Sequence, residues 1–204
     1  MPVTLLRETP SQTAGPYVHI GLLPSAAGLP VRTQENLHVV AGPQTEGEAI
    51  KLELNLWDGT GAPIIDAVVE LWQADGKGRY RHPLDPRVGE LSGDFRGFGR
   101  AASDLKSGYY FFETVKPGRV KNTDGTLMAP HVSLALFARG INIHLNTRVY
   151  FSDEECNADD PVLKMVPPGR RETLVAERQS GSGTATYRLD IHLQGPNETV
   201  FFDV

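Results

Sequence analysis

From residue 48 onward the chain alternates apolar and polar residues in short runs. EAIKLELNLWD is the first such run and stops at DGTG, a turn signal, so it reads as a half-buried strand. PIIDAVVELWQAD predicts a second strand before DGKG, and SGYYFFETVKPG a third that ends at Pro117-Gly118. HVSLALFARG and INIHLNTRVYF predict two more. ETLVAERQ and TATYRLDIHLQ flank SGSG as a hairpin, and ETVFFDV reads as a last short strand. GRYRHPLDPRVGELSGDFRGFGRAAS and GRVKNTDGTLMAP read as loops. Apart from a short turn in DDPVLKMV, no amphipathic helix longer than two or three turns is expected. Short alternating strands with Gly and Asp turns predict an all-β, antiparallel sandwich or barrel with few short helices. The first forty residues are rich in Pro, Gly and Thr and show no period. They read as an extended N-terminal arm lying against its own domain or a partner. The expected division is arm and loops over 1–45 and the β domain over 46–204.

Composition narrows the class. A chain of 204 residues, 40% hydrophobic and 22% charged, fits one soluble globular domain. A net charge of −5 argues against a broad nucleic-acid surface. A single cysteine excludes an internal disulfide and suits a reducing compartment. That cysteine, Cys156, lies in SDEECNADD, where neighbouring acids disfavour a thiolate. No apolar run approaches the ~20 residues of a membrane span. The first residues lack a basic start followed by an apolar stretch. The expectation is a cytoplasmic protein with no membrane contact. Nucleotide, P-loop, H-E-x-x-H and G-x-S-x-G motifs are missing from the sequence.

The chemistry begins at residues 131–137. Alternation puts His131, Ser133 and Ala135 on one strand face and Val132, Leu134 and Leu136 on the other. His-x-His on one face is a familiar way to hold a metal, but here the second position is serine. His144 and His192 lie in strand patterns with no partner at ligand spacing and read as structural. Tyr80, just past a tight turn, offers a phenol, which binds ferric iron strongly once ionised. Arg139 precedes a glycine at a strand end, where a guanidinium can clamp a carboxylate with two hydrogen bonds. Local sequence alone leaves an ordinary surface arginine as the alternative.

SQTAGPY, VELWQADGKGRYRH, the FGR at 98–100, GYYFFETVKPG, APHVSLALFARGINIH and RVYF occur in one order. Together they resemble the intradiol ring-cleaving dioxygenases, over nearly the whole chain. The resemblance implies a prealbumin-like sandwich. It also implies a ferric ion held in catalytic chains by two tyrosines and two histidines. Those positions fall here on Tyr80, Val120, His131 and Ser133. Two retain a ligand and two do not, so the resemblance implies a vestigial site with no metal ligands and no catalytic residue of its own. It is most like the non-iron-binding alpha chain of a two-chain enzyme. Fe(3+) then belongs to a homologous beta chain in an (alpha-beta)n hetero-oligomer, whose active pocket lies between the chains. The implied substrates are O2 and a catechol carboxylate, 3,4-dihydroxybenzoate, cleaved to 3-carboxy-cis,cis-muconate. This chain's implied share is substrate positioning by Arg139 and by Thr13, Gly15, Pro16 and Tyr17 of the arm, which would wrap the partner. Two other readings stand beside this one. In the first, the chain is a self-sufficient enzyme holding a metal with Tyr80, His131 and a further residue such as His82. In the second, it is a β-sandwich binding domain without enzymatic role.

Overall fold

The computed structural model describes residues 15, 17–30, 36–104 and 107–203. Its strands are β1 (Ala49–Trp57), β2 (Val68–Trp72), β3 (Phe98–Ala102), β4 (Tyr110–Val115), β5 (His131–Phe137), β6 (Leu145–Phe151), β7 (Val175–Arg178) and β8 (Ala185–His192). All eight belong to one sheet, in the order β3-β2-β5-β6-β7-β8-β1-β4. Every strand but β3, which falls in a segment read as a loop, lies where the alternation predicts it, and the chain is mostly β. Two pairings depart from the antiparallel expectation: β1 runs parallel to β8, and β6 parallel to β7. Only strands joined by a tight hairpin are obliged to be antiparallel, and neither of these pairs is so joined.

The sheet curls until its edges nearly meet. Residues 37–42, inside the stretch read as arm and loops, bridge the gap. The His38 carbonyl accepts from Glu113 N–H at 3.0 Å, and Val40 N–H donates back to the Glu113 carbonyl at 2.8 Å, both on β4. On the other side, the Leu37 carbonyl accepts from Arg100 N–H of β3 at 3.0 Å, and the Val40 carbonyl from Arg96 N–H at 2.7 Å. The close approach explains why β3 was hidden in a glycine-rich sequence. A Cβ at Gly99 would meet the Leu37 carbonyl oxygen at 2.7 Å and Val40 at 2.6 Å. Glycine lowers strand propensity but is required where one backbone lies against another.

Alternating positions fill the main core. Ile50, Leu52, Leu54 and Leu56 of β1 pack with Val69 and Leu71 of β2, Phe112 of β4 and Val132, Leu134 and Leu136 of β5. Among the described residues two short α-helices accompany the sheet, α1 (Val18–Leu22) and α2 (Pro161–Met165). The second is the short helix expected in DDPVLKMV. The first falls in a segment with no predicted structure. Among the described residues of ETVFFDV there is one bridge, Phe202 to Asn146, and not a strand. Side chains serve its backbone instead. Thr147 Oγ1 donates to the Val200 carbonyl at 2.8 Å, and Val200 N–H donates to Thr173 Oγ1 at 3.3 Å.

A charged network ties β4, β7 and β8 to the turn after β6. Lys116 Nζ lies 2.9 Å from Asp153 and 2.6 Å from Glu154, while Arg178 Nη1 and the Tyr187 hydroxyl reach Asp153 at 2.7 and 2.9 Å. Burial alone would raise the Asp153 pKa, but hydrogen bonds from Lys116, Tyr187 and Arg178 hold it down at about 2. A carboxylate depressed by folding stabilises the protein above its ordinary pKa, and that contribution fades as pH falls through the folded value. Asp153→Asn is therefore expected to flatten the loss of stability as pH falls from 3.8 to about 2. Its cost at neutral pH should be about 1 kcal/mol, the network being partly screened by solvent. Urea midpoints measured against pH check both.

Candidate functional site

The turn after β2 is built on a buried ion pair. Asp75 Oδ2 accepts from Arg79 Nε at 2.9 Å and Nη2 at 2.6 Å, while Oδ1 accepts from the backbone N–H groups of Lys77 and Arg79. Both side chains are almost fully buried. Gly78 turns with φ +71°, and a Cβ there would sit 2.1 Å from the Arg119 carbonyl oxygen. Only glycine allows the two loops to touch so closely. Their contact brings Tyr80 and Val120 together in a cleft of about 720 Å³, walled also by Trp72, His82, Arg119 and Leu127. The Tyr80 ring lies parallel to Trp72, with centroids 5.9 Å apart. Burial pushes the Tyr80 phenol above its ordinary pKa, with Arg148 opposing and Asp85 adding to the shift. It is a neutral phenol at physiological pH.

The two remaining positions sit on β5. The register sets Ser133 opposite Trp72 of β2 and Arg148 of β6, and His131 opposite Tyr150. His131 is buried, with Nδ1 2.8 Å from the Ala129 carbonyl oxygen. Its pKa falls to about 4, chiefly through burial and then through the neighbouring Arg148 cation. Behind it stands Asp160, wholly buried. Asp160 accepts from Ala129 N–H at 2.7 Å, from the Tyr150 hydroxyl at 3.0 Å, and from Val162 and Leu163 N–H as the cap of α2. One carboxylate thus fixes the chain before His131, the tyrosine beside it and a helix.

This set does not fit a ferric ion. Val120 is buried and has no donor atom, and Ser133 offers a hydroxyl, a poor ferric ligand beside phenolate and imidazole. Tyr80 and His131 alone are two donors, and a cation stands near both. Among the described residues no three of His, Cys, Asp and Glu converge as a metal group. His82 shares the cleft with Tyr80, but its Nδ1 already accepts from Leu84 N–H at 3.2 Å. His144 and His192 stack on Phe137 and Trp57, and Cys156 has a raised pKa, first from burial and then from Glu154.

Arg139 lies beyond the other end of β5, roughly 25 Å from His131 at ~3.3 Å per residue. It is exposed, forms an ion pair with Asp66, and lines a separate hollow of about 840 Å³ with Asp58, Ile64 and Asn142. Tyr17 is exposed at the head of α1, and no described residue would lie within 4 Å of a Cβ at Gly15. Thr13 and Pro16 lie outside the described residues. The structure therefore gathers Tyr80, Val120, His131 and Ser133 at one end of β5, and Arg139 at the other. Sequence reasoning missed Arg148, Asp160 and Asp66. For Arg148 the signal was present in NTRVYF, but which face it shared depended on a cross-strand register that no single strand reveals.

A family profile described as Dioxygenase matches residues 29–195. The protocatechuate 3,4-dioxygenase alpha chain of Pseudomonas putida is 51% identical, over the full length of both chains. The protocatechuate 3,4-dioxygenase beta chain of Burkholderia cepacia is 31% identical, over 75% of this chain and 67% of that one. Among solved structures, an intradiol ring-cleavage dioxygenase from Tetranychus urticae shares the fold. Its TM-score is 0.58 at 19% identity, with 92% of this chain and 94% of that chain covered. The chain belongs to the intradiol dioxygenase family. Its full-length likeness is to the alpha chains of protocatechuate 3,4-dioxygenase, which places it on the alpha side of the family's two-chain enzymes.

Proposed function

We propose that this chain is the non-iron-binding subunit of a protocatechuate 3,4-dioxygenase, working in the cytoplasm beside a homologous iron-bearing beta chain in an (alpha-beta)n assembly. The observation that carries the reading is the pairing of full-length likeness to alpha chains with a site that has lost two of its four donors, at Val120 and Ser133. The complex would cleave 3,4-dihydroxybenzoate with O2 between its hydroxyl-bearing carbons, giving 3-carboxy-cis,cis-muconate without an external reductant. The ferric ion of the partner supplies the oxygen chemistry. We read residues 1–45 as the segment that reaches the partner, apart from 37–42, which pack on this chain's own sheet, and the curled sheet over 46–204 as a two-layer sandwich around the main core.

This chain's own part is positioning. Arg139 would bind the ring carboxylate at the contact between the chains. Its present partner, Asp66, is an exposed-pair neighbour worth at most about 1 kcal/mol, so a substrate carboxylate can displace it. Thr13, Gly15, Pro16 and Tyr17 would form one wall of the pocket, where glycine and proline give close and stiff backbone approach. Excluding water on that side strengthens the charge pairing at Arg139.

Co-expression with an iron-bearing beta chain tests the reading. The expected result is a stable hetero-complex that consumes O2 with 3,4-dihydroxybenzoate only when both chains are present. A beta chain fully active alone, or an isolated alpha-type chain that carries iron, would overturn it.

A further inference from the structure

The vestigial site has gained something as well as lost two donors. Trp72, Ser133 and Arg148 form one row across β2, β5 and β6, with His131 and Tyr150 in the next row between β5 and β6. Residues opposed in this way share a sheet face and lie ~5 Å apart at Cβ. Arg148 is half-buried, and its Nη1 sits 3.4 Å from Met128 Sδ. Met128 in turn packs with Val120 and Tyr80. Arg148 thus stands opposite Ser133 and one row from His131, and its guanidinium lies against the residue that packs on Val120 and Tyr80. Its charge is felt at Tyr80, His131 and Tyr150, lowering the pKa of each relative to burial alone.

We propose that Arg148 is a resident cation that has replaced the metal, so that the site excludes ferric iron by charge as well as by missing donors. This rests on the reading of Tyr80, Val120, His131 and Ser133 as former ligand positions. A guanidinium cannot be deprotonated in a protein and offers no lone pair, so it repels a trivalent ion and cannot become its ligand. It also gives the neutral phenol and imidazole an electrostatic partner at the place a metal would have held. Restoring the donors alone is then insufficient. Removing the charge is the second requirement.

The test uses the full-length chain carrying Val120→Tyr and Ser133→His, prepared with Arg148 retained, with Arg148→Lys, with Arg148→Gln and with Arg148→Met. Each is incubated with ferric iron and desalted. Iron per chain and the visible phenolate-to-iron absorption are then measured, with circular dichroism confirming the fold. The Gln and Met forms are expected to hold at least about tenfold more iron than the Arg and Lys forms, because a fixed charge within a few ångströms strongly opposes a trivalent ion. Equal loading with Arg148 retained would overturn the proposal. So would failure of both neutral forms, correctly folded, to exceed the charged ones. These outcomes are independent of complex formation, so they separate this inference from the proposed function.

Discussion

Replacing Asp160 with alanine is expected to be the most destabilising single change in the described fold, lowering stability by about 3–5 kcal/mol. The carboxylate is fully buried and accepts four hydrogen bonds. Loss of the helix cap accounts for about 0.5–2 kcal/mol. The Ala129 N–H and the Tyr150 hydroxyl are then left buried without an acceptor, at about 1–3 kcal/mol each. Asp160→Asn keeps the shape and one acceptor oxygen, but turns an amide N–H toward a donor, so it should fall between wild type and alanine. Denaturant midpoints rank the three. A loss of under about 1 kcal/mol in Asp160→Ala would show that water replaces the carboxylate at this place.

The second large effect is functional. In the assembled enzyme, Arg139→Ala is expected to raise KM for 3,4-dihydroxybenzoate by about 10–150-fold, the equivalent of losing a charged hydrogen-bonded contact worth about 1.5–3 kcal/mol. Iron content should not change. For catechol, which lacks the carboxylate, the same variant should behave nearly like wild type. Asp66→Asn should move KM the other way by a small factor, since it removes the competitor for the guanidinium. Iron loss in Arg139→Ala with an unchanged KM would place this arginine in the structure and not in the pocket.

The sequence made the strands legible because their period-two pattern answers to a single buried face. Ile50, Leu52, Leu54 and Leu56 needed nothing but alternation to be read as core. That Val120 carries no donor atom and Ser133 no imidazole was legible too, since both carry their chemistry in their identity. Direction and register were not legible. The parallel pairing of β1 with β8 joins opposite ends of the chain, and local pattern holds no record of such a partner. β3 was hidden because Gly99 serves backbone contact, at the expense of propensity. Arg148 and Asp160 went unnoticed for a related reason. Each is an ordinary polar residue in its own segment, and acquires its role from neighbours brought in by folding.

The segment from 37 to 42 has a consequence for how this chain can meet another. By hydrogen bonding to β3 on one side and β4 on the other, it occupies the places where a foreign strand would add. Exposed edges are the usual templates for strand addition, whether in specific dimers or in aggregates. Here that route is closed by the chain itself. Recognition of a companion subunit then falls to side chains, loops and the N-terminal arm, and its fidelity to surface chemistry more than to generic backbone pairing at these edges. Substitutions that loosen this segment, such as a bulky residue at Gly99, would reopen those edges and trade selective assembly for indiscriminate self-association.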